Sequence, residues 1–86
     1  MVISLYNYRF WGDGMDYIDR IRALREDNDM TQQAMADILE TSQTMYARYE
    51  RGANEMPIRH LITICKFFKV SADYILGFTD EIKPKK

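Results

Sequence analysis

Between Ser42 and Gly52 the chain runs Ser-Gln-Thr-Met-Tyr-Ala-Arg-Tyr-Glu-Arg-Gly, and its polar side chains are of a particular kind. On a helix advancing 100° per residue from Gln43, Met45, Tyr49 and Tyr46 fall at about 200°, 240° and 300°. Gln43, Ala47, Thr44 and Arg48 fall on the opposite arc, between about 0° and 140°. Every side chain on that second arc is short and uncharged, or carries groups able to hydrogen-bond a base edge. A Gln amide pairs with adenine through two hydrogen bonds and an Arg guanidinium with guanine through two, while Thr offers a hydroxyl and a methyl. A merely solvated face would be rich in Glu and Lys. The arc suits base reading in the major groove, with Met45, Tyr46 and Tyr49 as anchors behind it.

An all-α arrangement of five helices is expected to carry this arc. The first helix has Asp16 as N-cap and aligns Ile18, Ile21 and Leu24 on one side, near Tyr17. Thr31 caps the second, and Met30 and Met35 are spaced as a hydrophobic staple around its start. Met35, Ala36 and Leu39 form its buried stripe. Glu40-Thr41 makes the turn, Ser42 caps the third helix, and Gly52 stops it just past Arg51. Pro57 suits the first turn of the fourth helix. There Ile58, Leu61, Ile62, Cys65 and Phe68 follow the spacing of a core-facing stripe. Ser71 caps a short fifth helix over residues 72–76, which Gly77 ends.

The ordered set Thr31-Gln32-Gln33-Ala34-Met35-Ala36, then Thr41-Ser42-Gln43-Thr44-Met45-Tyr46-Ala47-Arg48-Tyr49-Glu50-Arg51-Gly52, resembles the Cro/phage-repressor (XRE) helix-turn-helix family. The resemblance extends over about residues 16–80, through Val70-Ser71-Ala72-Asp73-Tyr74-Ile75-Leu76-Gly77. It implies a compact five-helix, lambda-repressor-like DNA-binding domain preceded by a short extension. It further implies that Gln43, Thr44 and Arg48 read bases and that Gln32, Ser42, Arg51 and Asn54 contact phosphate. Gln32 would also brace the first recognition residue. Phosphate contacts of this kind set register, and base contacts set sequence preference. Arg25 and Glu50 match an ion pair that ties the first helix to the third. Two positions depart from the family's pattern. The turn residue usually Gly is Glu40, where a left-handed conformation costs roughly 1 kcal/mol. The loop position that is often basic is Ala53, with Glu55 nearby, which weakens the electrostatic grip on DNA.

The 86 residues fit one small domain, organised as an N-terminal extension (1–14), a helix-turn-helix domain (15–80) and a flexible basic tail (81–86). The extension, rich in β-branched and aromatic residues, reads as an edge strand, an arm pairing with a second subunit, or a dispensable lead before Met15. Nothing in the chain reads as a membrane span or signal peptide. The single cysteine, Cys65, excludes an internal disulfide and suits a reducing cytoplasm. A domain this small is marginal by itself, which favours a homodimer. The net charge of −1 gives no support to nucleic-acid binding, since only a local basic face would help.

His60 lies off the apolar stripe of the fourth helix with no ligand at metal-binding spacing, so a solvated histidine is expected and no metal. Cys65 falls within the stripe and reads as a small buried hydrophobe. No carboxylate is paired for acid–base work, so neither an enzyme, a cofactor nor a small-molecule ligand is expected. Phe67 and Phe78 exceed what five small helices bury. They read either as a dimer surface or as cover for the fifth helix. The leading expectation is a transcriptional regulator, a repressor binding double-stranded DNA at an inverted repeat as a homodimer. The alternative is an antitoxin-like interaction module that reads no bases.

Overall fold

The computed structural model describes residues 16–82, and the extension 1–14 and the tail end 83–86 lie outside them. Five helices make up the described chain: α1 Tyr17–Asp27, α2 Gln32–Leu39, α3 Gln43–Glu50, α4 Ile58–Phe68 and α5 Ala72–Leu76. No strand occurs among the described residues, so the all-α, five-helix expectation is met.

Four of the five starts are fixed by a side chain that accepts an otherwise unpaired N–H of the first turn. Asp16 accepts from Ile18 and Asp19, and Asp19 returns a bond to the Asp16 amide, completing a capping box. Thr31, Ser42 and Ser71 cap α2, α3 and α5 through their hydroxyls at 3.0 Å. Only α4 lacks a side-chain cap; Pro57 occupies its N-cap position.

The core joins Ile18, Ile21 and Leu24 of α1 to Met35, Ala36 and Leu39 of α2 and to Tyr46 and Tyr49 of α3. Ile64, Val70 and Ile75 close it from the C-terminal half, and partly buried Met30 packs against the same core that holds Met35. Two expectations for α4 are corrected. His60 is buried rather than solvated, its ring edge-on to Tyr49 at 5.7 Å. Ile58 and Ile62, expected in the core, are 71% and 49% exposed. Apolar residues occupy more than half the circumference of α4, so periodicity alone leaves its orientation open. Packing against α2 and α5 selects the row His60, Ile64 and Phe68, spaced by four residues, with Leu61 and Cys65 on its flank.

A buried guanidinium, that of Arg20, ties α1 to the C-terminal end of the described chain. Arg20 donates to the carbonyls of Tyr74 (2.9 Å) and Thr79 (3.2 Å) and to Asp80, and its guanidinium stacks 4.6 Å above the Tyr74 ring. Together with a bond from the Ser71 amide to the Ile82 carbonyl, it fastens residues 79–82 to α1 and α5.

Candidate nucleic-acid interface

The α2–α3 turn is three residues long, and it sets the angle at which α3 leaves the domain. Glu40 adopts the left-handed conformation there (φ 58°, ψ 45°), and the Thr41 amide returns to Ala36 O at 2.9 Å. The strain expected of a non-glycine residue at this position is therefore present.

Behind the turn, Glu50 closes α3 with a carboxylate that is almost fully buried. Arg25 grips it with two bonds, Nε to Oε2 at 2.7 Å and Nη2 to Oε1 at 3.1 Å. The Tyr46 hydroxyl donates to it at 2.6 Å and the Gln32 amide at 3.0 Å, while Arg22 lies 3.9 Å away. Burial alone would push the Glu50 carboxyl up, but the bonds from Arg25, Tyr46 and Gln32 outweigh it and hold it below the usual range. The same contacts act on the partners. Burial and the bond to Glu50 push the Tyr46 hydroxyl far up. The Glu50 bond also raises the Arg25 guanidinium. The family resemblance implies the Arg25–Glu50 pair, whereas helical periodicity marks Tyr46 only as an apolar anchor. The signal available was its position one turn before Glu50.

Because an ionised carboxylate only accepts, Glu50 dictates the orientation of the Gln32 amide. Gln32 must turn its Nε2 inward, which leaves Oε1 to accept from Gln43 Nε2 at 2.8 Å. Gln43 is exposed yet tethered, with its Oε1 and one N–H left for another partner. That remaining donor–acceptor pair is the one an adenine edge requires. The relay Arg25–Glu50–Gln32–Gln43 thus links α1, α3 and α2 back to the first turn of α3.

Thr44 and Ser42 are exposed beside Gln43 at the same helix end. One turn further on, Arg48 is half-buried and donates from Nε to Asn54 Oδ1 at 2.7 Å. Arg51, the C-cap of α3, is exposed. Gly52 takes φ 78° and turns the chain so that the amides of Ala53 and Asn54 both return to the Arg48 carbonyl. Phe67 and Phe78 stand apart from this face, 50% and 72% exposed. Among the described residues, no three His, Cys, Asp or Glu side chains converge as a metal ion would need, and no helix is long and apolar enough to cross a membrane.

A helix-turn-helix family model matches residues 21–75. The chain is 33% identical over 69 residues to YobD, an uncharacterized HTH-type transcriptional regulator of Bacillus subtilis (strain 168). That match covers 80% of this chain and 62% of the relative. A second such regulator of the same organism, YqaE, is 35% identical over 74 residues, covering 78% and 64%. The chain thus spans less than two thirds of the length of either relative. Among solved structures it is similar to the P22 c2 repressor protein in complex with synthetic operator 9T. The TM-score is 0.64 at 27% identity, over 72% of this chain and 94% of that one.

Proposed function

The chain belongs to the Cro/phage-repressor (XRE) family of helix-turn-helix proteins, and on that premise we propose that it is a sequence-specific DNA-binding transcriptional regulator. It represses from an inverted-repeat operator in the cytoplasm, as a homodimer whose two α3 helices enter major grooves about 34 Å apart. The relay that ends on Gln43 carries this reading. A tethered but exposed amide with one donor and one acceptor free is pre-organised for a base edge and serves no purpose in the core. In the solved complex of the P22 c2 repressor, a protein of this fold is bound to operator DNA.

In this reading Gln43, Thr44 and Arg48 face base edges. Gln32 and Ser42, at the N-termini of α2 and α3, meet phosphates where helix dipoles and free N–H groups favour an anion, and Arg51 grips the backbone beyond them. The net charge of −1 leaves little long-range attraction to DNA, so affinity rests on these contacts and on dimerisation. The test is selection from a random duplex pool, followed by salt-dependent anisotropy on the enriched site. A palindrome should emerge, and Arg48→Ala should weaken binding to it by roughly 1–3 kcal/mol while relaxing preference at one base pair per half-site. No binding at low salt would instead favour a module that contacts another protein through the same fold.

A further inference from the structure

Arg48 does not project freely from α3. Its Nε is committed to Asn54 Oδ1 at 2.7 Å, a bond of charge-assisted length. Asn54 is itself held, because its amide and that of Ala53 both return to the Arg48 carbonyl, at 3.4 and 2.9 Å, after the left-handed Gly52. Side chain and main chain of one loop therefore converge on one residue of the reading helix. A guanidinium can meet guanine O6 and N7 either through Nε and one terminal nitrogen or through its two terminal nitrogens. With Nε occupied, only the terminal edge remains.

We propose that Asn54 is a positioning residue for Arg48, holding its guanidinium so that the Nη1/Nη2 edge reads a guanine, rather than a residue whose main task is to contact phosphate. This rests on the DNA-binding reading above and assigns to one loop residue the specificity at one base pair. A freely rotating arginine forfeits on binding the freedom that Asn54 has already removed. The loss falls only on sites carrying that guanine, because elsewhere the guanidinium makes no base contact. Asn54 thus contributes to discrimination, not to general affinity.

Random-duplex selection and competition binding on the parent, Arg48→Ala, Asn54→Ala and Asn54→Asp proteins test it, with thermal melts recording that each variant is folded. The parent should enrich a guanine at one position per half-site, and Arg48→Ala should abolish that preference. Asn54→Ala should reduce the preference at the same position by about 2- to 12-fold, the cost of ordering one rotamer-rich side chain, with other positions unchanged. Asn54→Asp, whose carboxylate still accepts from Nε, should restore it. If both Asn54 variants weaken all sequences equally, with Asp worse than Ala and the guanine preference intact, Asn54 is a phosphate contact and the proposal is overturned. A parent palindrome whose base preferences survive Arg48→Ala overturns it while leaving DNA binding standing. A parent that enriches nothing removes the DNA-binding reading and this inference together.

Discussion

At Glu50 one carboxylate accepts from Arg25, Tyr46 and Gln32 while sitting almost wholly out of water. Removing it strands three donors, one of them a guanidinium that is itself largely buried. Glu50→Ala should therefore cost about 3–5 kcal/mol, as breaking one side of a buried pair does. Urea denaturation against the parent measures it, and a loss under 1 kcal/mol would mean that water replaces the carboxylate easily. The same groups set the response to acid. Burial, with Arg59 nearby, pulls His60 below its ordinary value, so the folded state holds it neutral. Its contribution is complete above the unfolded value of about 6.5 and is lost as pH falls from there towards the lower folded value. Glu50 is also depressed, so its share is present above about pH 4.3 and is lost below that. Stability should thus fall in two stages on acidification. His60→Gln should flatten the upper stage, which begins as pH falls through about 6.5, and leave the lower one. An unchanged profile in that variant would place the upper stage elsewhere.

Among the elements, what the sequence discloses divides by range. Starts and stops were legible because a cap is a local event: Asp16, Thr31, Ser42 and Ser71 satisfy N–H groups two or three residues away. The division of α3 into a buried face (Tyr46, Tyr49) and an outward one (Gln43, Thr44) was legible for the same reason, since one helix with a narrow apolar arc has one orientation. The face of α4 was not, because its apolar residues cover most of its girth and only the neighbours α2 and α5 choose among them. His60 followed from that error. The Arg20 clamp was equally hidden, since its acceptors are the carbonyls of Tyr74 and Thr79, more than fifty residues away. The α2–α3 turn is where a local reading makes a quantitative claim. Glu40 pays for its left-handed backbone, and glycine there relieves roughly 1 kcal/mol, less a few tenths for its greater freedom when unfolded. Glu40→Gly should raise Tm by a few degrees in a domain of this size. A fall in Tm would show that Glu40 contributes a contact that outweighs its strain.

For the whole molecule, the proposed function raises the question of what would turn one helix-turn-helix into a protein selective for an operator. On that reading a single domain would offer a few base contacts and little positive charge, which is too little to pick one site from a genome. Two domains on a palindrome bind the second half-site at an effective concentration set by the first. The apolar surface that could join them is concentrated away from α3. Phe67 and Phe78 are 50% and 72% exposed, and Phe67, Phe68, Val70 and Ile82 line one cleft with Leu24 and Met30. Exposed aromatics of this size cost little when made polar in a monomer but carry much of the energy of an interface. Phe67→Ser with Phe78→Ser should therefore leave the melt of the dilute protein nearly unchanged. If these rings join two copies, sedimentation should shift from dimer towards monomer, and affinity for the palindrome should fall by about 100-fold or more while that for a single half-site barely moves. Equal losses on both DNAs with an unaltered sedimentation coefficient would assign the rings to the domain's own packing. The dimer contact would then have to be sought elsewhere, with the exposed Ile58 and Ile62 of α4 the next surface to alter.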